Sequence, residues 1–303
     1  MSVALEKKIA YNMQQAQQYY WDPNLFGADD FNEDLIYRIT DFQMEHGLEA
    51  DGLCGPLTYR RAIAVKEAES EDPVPVLTFD GEPKHIIHNG EEIDIYWDKV
   101  ILWTEPGAYG TKEGNYSNRM GRGRRQPKMF VTHWDAALSS KSCAQILWKR
   151  GLSIHFCIGS RGEIWQLLDT QNIAWHAGKA NAYSIGVEVC NPYYTKYNSY
   201  YRKKGLPERP IWTDKYVHGK KLSPFLGFTD RQINALAALW EATSRACGIP
   251  LQVPPGAAEV HPGAAENKYN GFVCHYHLTP RKIDCAGLDM DLVLAKAKAI
   301  RGQ

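Results

Sequence analysis

The 303-residue chain lacks several features that would settle its class at once. Its formal net charge is zero, so no global field draws it to nucleic acid or to an anionic bilayer. No run of apolar residues approaches the length needed to span a membrane, and Met1–Tyr20 alternates charged and polar residues without the apolar core of a secretory signal. The seven cysteines, Cys54, Cys143, Cys157, Cys190, Cys247, Cys274 and Cys285, are odd in number and follow no repeating spacing. A disulfide framework is therefore not expected, and thiols inside apolar runs, such as Cys157, read as small buried hydrophobes of a protein made in a reducing cytoplasm. No internal repeat or low-complexity tract is present. With 44% hydrophobic and 23% charged residues, the chain is composed like a globular protein. One local charge excess, Arg119, Arg122, Arg124, Arg125 and Lys128 among glycines, reads as a solvated loop in preference to a polyanion contact.

Two regions of different character follow each other. Residues 1–68 read as helical, with Leu35, Ile36, Ile39, Phe42 and Met44 forming an apolar stripe over Glu33–His46, Gly47 as a stop and Pro56 opening a further helix through Thr58, Ala62 and Val65. Residues 69–77, acidic and carrying Pro73 and Pro75, read as a linker. From residue 78 to 303, strands and helices interleave, which predicts an α/β domain with a central mixed β-sheet flanked by helices. Its elements include a hairpin turning at Asn89-Gly90, strands over 129–133 and 184–190, a second hairpin around 160–162, and helices over 139–150, 229–247 and 289–300. Residues 78–128 and 192–227 stand out as inserts. Tyr193, Tyr194, Tyr197, Tyr200 and Tyr201 in the second suit glycan stacking and loop packing equally.

In the first region, Ile39-Thr40-Asp41-Phe42-Gln43, Gly47-Leu48, Asp51-Gly52 and Gly55-Pro56-Leu57-Thr58 form a dense motif. It resembles the three-helix peptidoglycan-binding module found beside wall-cleaving enzymes. Gly52 supplies a tight turn and Gly55 a close start for the next helix. The motif mostly encodes the fold, and a plain helical bundle with no ligand is its alternative.

Three stretches of the second region bring histidines into settings suited to zinc: Phe130-Val131-Thr132-His133, Ala174-Trp175-His176-Ala177-Gly178, and His275 to Cys285. The first and third can supply two imidazoles and an anion, the ligand set of a catalytic zinc with an open position. Together with His155-Phe156 and Ser184-Ile185-Gly186-Val187-Glu188, these segments follow one another in an order that resembles the zinc-dependent N-acetylmuramoyl-L-alanine amidases and peptidoglycan recognition proteins over residues 128–295. The resemblance implies His133 and His275 as zinc ligands. His277 is a rival to His275, because alternate residues of a strand share a face. Lys282-Ile283-Asp284 fits the family's Lys-x-Asp pattern and Cys285-Ala286-Gly287 its ligand-x-Gly pattern, so Asp284 is preferred as third ligand with Cys285 open. Trp175, His176 and Asn181 are implied to line the substrate groove, and His155 reads as structural.

The implied reaction is hydrolysis, by zinc-activated water, of the amide between the lactyl group of N-acetylmuramic acid and L-alanine. Ile154 stands where some relatives carry a catalytic tyrosine, so Glu188 is assigned to orient or deprotonate the water, and Lys282 to stabilise the oxyanion. The partner expected is polymeric peptidoglycan, with neither nucleic acid nor membrane insertion. A phage endolysin, or a virion-associated lysin, made in the cytoplasm and acting on the wall after release, fits these features best. A non-catalytic recognition protein and a cytosolic amidase recycling anhydro-muropeptides are the alternatives.

Overall fold

The computed structural model describes residues 3–19, 21–46, 48–55, 58, 59, 62 and 82–302. The chain divides into two compact units, Met1–Pro75 and Val76–Gln303. The expected linker over 69–77, the stop at Gly47, and Pro56 and Val65 of the third expected helix lie outside the described residues.

The first unit holds helices α1 (Val3–Tyr19) and α2 (Glu33–Glu45), joined through a short 3-10 turn at Pro23–Phe26. Asn32 caps α2 by accepting the Leu35 amide hydrogen. Leu35, Ile36 and Ile39 are buried as the stripe predicts, but Met44 is exposed and Gln43 takes the next buried position. Residues 35, 39 and 43 lie at i, i+4 and i+8 on one helix face, which turns Met44 away. Gln43 is tolerated there because it is fully bonded: its amide donates to Asp51 and the Leu53 carbonyl and accepts from the Gly52 amide. Gly52 has a positive φ of 71°, and a Cβ there would sit 2.7 Å from the Ile36 side chain. Trp21, Leu35, Ile39 and Cys54 form the small core.

The second unit is built on a mixed six-stranded sheet in the order β14-β5-β9-β6-β7-β3. In chain order its strands are β3 (Val100–Leu102), β5 (Met129–Trp134), β6 (Phe156–Ile158), β7 (Ile164–Gln166), β9 (Ser184–Val189) and β14 (Gly271–Cys274). Only the β6–β7 pair is antiparallel. Four two-stranded pairs flank it: β1 (Lys84–His88) with β2 (Glu91–Ile95), β4 (Tyr116–Ser117) with β8 (Ile173–Ala174), β10 (Ile211–Trp212) with β13 (Phe225–Leu226), and β11 (Tyr216–Val217) with β12 (Lys220–Lys221). The β1–β2 hairpin turns at Asn89 and Gly90, both with positive φ, as an Asn-Gly turn requires. The helices are α3 (Ser140–Lys149), α4 (Asn198–Lys203), α5 (Asp230–Cys247), α6 (Pro262–Ala265) and α7 (Met290–Arg301).

Strand alternation gives the sheet two unlike faces. Phe130, Phe156, Ile185, Val187 and Phe272 point to one face, where α5 covers them in the main core. Helix α5 carries a full capping box at Thr229 and Gln232 and ends at Gly248 in the left-handed conformation. The other face presents Val131, His133, Glu188 and Cys157, with α3 packed over Cys157. This second face carries the polar site. All seven cysteines are free and buried.

Both inserts are structural parts of the unit. Residues 82–128 contribute the edge strand β3 and the strand β4 that pairs with β8 just before Trp175. The basic segment is not uniformly solvated, which corrects its reading as a loop in water. Arg122, Arg124 and Lys128 are exposed, but Arg125 is buried, and its guanidinium donates to the carbonyls of Thr170, Asn172, Asn181 and Ser184. A planar fork with several donors fits four converging carbonyls as a lysine could not. In the second insert Tyr193 stacks on Phe225 at 5.0 Å and Tyr201 is fully buried, so these two tyrosines pack the loop while Tyr194 stays exposed.

Arg125→Met is expected to cost on the order of 3 kcal/mol or more, because it leaves buried carbonyls without donors. Denaturant unfolding checks this, and a loss under ~0.5 kcal/mol would show that the four bonds contribute little.

Candidate metal centre

His133 lies near the end of β5, beside Glu188 of β9 in the parallel register, and Glu188 in turn lies beside Cys157 of β6. Neighbours in register share a face, so β5 and β9 deliver His133 and Glu188 side by side without any loop. His275 follows the last residue of β14, the other neighbour of β5. There the chain turns into a 3-10 helix at His275–His277, not the strand that a His-x-His face presumes. The two rings consequently part. His277 turns back, and its Nδ1 accepts the Cys274 amide hydrogen at 3.0 Å. His275 goes forward to His133. The Tyr276 amide donates to the Asp284 carbonyl, clipping the following loop onto this turn.

Three donor atoms meet as a result. His133 Nδ1 lies 3.0 Å from His275 Nδ1 and 3.1 Å from Asp284 Oδ2, and His275 Nδ1 lies 3.1 Å from the same oxygen. All three residues are buried, and among the described residues they form the group able to hold a metal ion. Two imidazole nitrogens and one carboxylate oxygen suit zinc, and donor separations near 3 Å approach the ~3.3 Å edge of a tetrahedron with bonds of about 2.0–2.1 Å. Burial pushes the His133 pKa down to about 4, with His275 adding to the effect, so the ring is a neutral donor at neutral pH. Burial alone would raise Asp284, but hydrogen bonds from His133 and His275 outweigh it and hold the carboxyl well below its usual range.

Cys285 does not join this group. Its side chain is fully buried in the main core, where burial and Cys274 raise its thiol pKa well above the ordinary value. Of the two residues left open as third ligand, Asp284 is the one whose side-chain oxygen lies with the His133 and His275 nitrogens.

Glu188 is partly buried, and its Oε2 has no hydrogen-bond partner. Burial raises its pKa well above the usual value, with Asp135 and Asp284 pushing the same way and Lys282 opposing. Asp135, two residues past His133, is itself raised to about 7 by burial, against the lowering effect of the Ala137 and Asn191 amides. Lys282 is exposed, and its charge is felt at both His133 and Glu188. Its carbonyl lies 2.9 Å from His218 Nε2, a residue of the second insert.

Trp175, His176 and Asn181 share one loop beside the donors. The Trp175 indole donates to Ser117 Oγ of the first insert at 3.1 Å. Asn181 Oδ1 accepts the backbone amides of His176 and Ala177. His176 Nδ1 is 3.0 Å from His133 Nε2, and its Nε2 is 3.3 Å from Ser184 Oγ. Both its ring nitrogens are engaged within the protein, leaving only the carbon edge for the substrate contact expected of it. His155 is buried between the Gly186 amide and the Asn172 carbonyl, as a structural histidine would be. The sequence marks Ser184 and Gly186 only as members of a motif and Arg125 only as part of a solvated run, with no sign of His218; their partners here are His176, backbone carbonyls of 170–184 and the Lys282 carbonyl.

A family model described as N-acetylmuramoyl-L-alanine amidase matches residues 123–284, more than half of the chain. The chain belongs to this family. Solved structures with a similar outline include the amidase LysC from Clostridium intestinale, at 14% identity and TM-score 0.39, covering 67% of this chain and 99% of that one. Others are the hydrolase AmiA from Staphylococcus aureus (13%, TM-score 0.40, covering 68% and 86%) and the endolysin of Thermus scotoductus bacteriophage Ph2119 (14%, TM-score 0.34, covering 66% and 99%). No curated protein matches the chain.

Two outcomes are expected from this geometry. Asp284→Ala should abolish stoichiometric zinc uptake while Cys285→Ala keeps it, measured by elemental analysis of dialysed protein. The reverse pattern would make the thiol the ligand. The second concerns pH. Burial lowers His133 and His277 from 6.5 to about 4 and His155 to about 3, so the unfolded chain takes up protons that the native imidazoles refuse. Stability from these groups is complete above pH 6.5 and falls as the pH drops from 6.5 towards 4, by up to ~1.4 kcal/mol per unit for each group. Asp135, raised to about 7, and Glu188 act in the opposite sense over the same window. The histidine part is therefore read by comparing the pH dependence of melting of chelator-treated wild type and His155→Gln, and identical dependence would contradict neutral burial of His155.

Proposed function

We propose that the chain is a zinc-dependent hydrolase that cleaves the amide between the lactyl group of N-acetylmuramic acid and L-alanine in polymeric peptidoglycan. The observation that carries this reading is the convergence of His133, His275 and Asp284 beside Glu188, whose Oε2 has no hydrogen-bond partner among the described residues. Zinc held by those three side chains would lower the pKa of a bound water and polarise the scissile carbonyl.

The chain's own groups supply the rest. Glu188 accepts the proton of the attacking water on its free Oε2 and returns it to the departing L-alanine amine. Burial, with Asp135 and Asp284, raises its pKa, which strengthens the carboxylate as a base and lets it hold the proton until the amine departs. Lys282 extends from the exposed edge of the same loop as Asp284 and donates to the developing oxyanion. Trp175, anchored through its indole nitrogen to Ser117, forms the groove wall. The motif of the first unit supports retention on the polymer, and with it a lytic role of the endolysin kind rather than recycling of soluble fragments.

Purified sacculi incubated with the zinc-loaded protein should gain new N-terminal L-alanine. New reducing ends in its place would make the enzyme a glycosidase, and turnover of soluble anhydro-muropeptides alone would favour recycling. Glu188→Ala should retain zinc and lose about 10²–10⁴ of the rate. Near wild-type turnover would remove Glu188 from the chemistry.

A further inference from the structure

We infer that His176 is a positioning residue for the metal centre: it accepts a hydrogen bond from His133 Nε2 and thereby holds that imidazole with its Nδ1 lone pair facing His275 and Asp284. The inference rests on those three residues being the metal ligands, and it assigns His176 a task other than substrate contact.

The proton directions follow from one another. A neutral imidazole carries one proton and one lone pair. If Nδ1 of His133 is the donor atom toward the metal, its proton sits on Nε2, which lies 3.0 Å from His176 Nδ1. His176 must then accept at Nδ1 and carry its own proton on Nε2, where Ser184 Oγ lies 3.3 Å away. Ser184 in turn donates its hydroxyl hydrogen to the Ala180 carbonyl at 2.8 Å. Every group in this chain has a single consistent role, and it ends on a backbone carbonyl that cannot change. The opposite tautomer of His133 donates from Nδ1 to Asp284 Oδ2 at 3.1 Å, and while it does so Nδ1 has no lone pair to offer a metal.

The surroundings hold His176 as firmly as the chain requires. Asn181 Oδ1 accepts the His176 and Ala177 amides at 3.0 and 2.6 Å, and Arg125 donates to the carbonyls of Asn181 and Ser184. The ring itself lies over Gly186 of β9, where a Cβ would come within 2.5 Å of His176 Cε1. Gly186 has no positive φ, so its missing side chain makes room for the His176 ring and for the Ile154 side chain, 2.6 Å from such a Cβ, and not for the backbone.

An imidazole partnered in this way is oriented before the metal arrives, and loss of such a partner typically weakens metal binding about 10–100-fold. The test is zinc affinity, measured by competition with a chromophoric chelator on wild type, His176→Ala, His176→Gln and Gly186→Ala. His176→Ala should bind zinc roughly 10–100-fold more weakly. His176→Gln, whose amide oxygen can accept the same hydrogen, should recover most of that loss. Gly186→Ala should weaken binding like His176→Ala, although it alters no polar group. Melting of the metal-free proteins separates a folding defect from a metal defect. Wild-type affinity in His176→Ala, or a Gln variant no better than Ala while equally folded, would overturn the inference. A wild-type protein that takes up no zinc would instead overturn the metal reading itself.

Discussion

Two imidazole nitrogens and a carboxylate oxygen held within 3.1 Å of one another, away from water, are the constraint around which the second unit is arranged. Such a cluster is costly, because each polar group has given up its hydration and its neighbours repay only part of that loss. Asp284 can accept from both rings and one ring can donate to the other, but three such contacts must share one small space. The backbone must therefore over-determine the positions. It does so with neighbouring parallel strands, β14 and β5, whose ends release His275 and His133 toward the same point, and with the Tyr276 amide bond that returns the loop carrying Asp284.

Much of this was legible in residue type. A mixed sheet flanked by helices follows from interleaved apolar runs, and His133 and Glu188 stand out as polar residues in apolar strands, while Asp284 comes only from the family's Lys-x-Asp pattern. The Asn89-Gly90 hairpin and the caps at Thr229 and Gly248 were readable because their chemistry is local. What was not legible depends on direction. Asp284 and Cys285 are adjacent, and only the path of the loop sends one to the His133–His275 cluster and the other into the core. His275 and His277 were read by the period of a strand, but the strand ends at Cys274. Gln43 was missed for the same reason in the first unit, since a polar residue on a buried face is explained only by partners at Asp51, Gly52 and Leu53.

The inserts show how added sequence can stiffen a site that it does not enter. Arg125 uses its fork to gather four carbonyls of the segment 170–184, the segment that carries Trp175 and His176. Ser117 takes the Trp175 indole hydrogen, and His218 reaches the Lys282 carbonyl. Each contact ends on a group next to the chemistry. A loop held this way loses little further freedom when substrate binds, and ordering cost already met in folding need not oppose binding.

Desolvation then does two opposite things with one environment. It favours the neutral form of bases and acids alike, so it lowers His133, His155 and His176 and raises Glu188 and Asp135. The bases are left as lone-pair donors, and the acids as groups able to hold a proton. Asp284 escapes because two imidazoles bond directly to its charged form, a local effect strong enough to reverse the general one. Lys282 remains outside, exposed, where its charge costs little until a substrate covers it. An interior of mostly neutral groups around the Asp284 carboxylate, with Lys282 exposed at the rim, would suit the proposed attack on an uncharged amide, since further charge need appear only as the reaction proceeds.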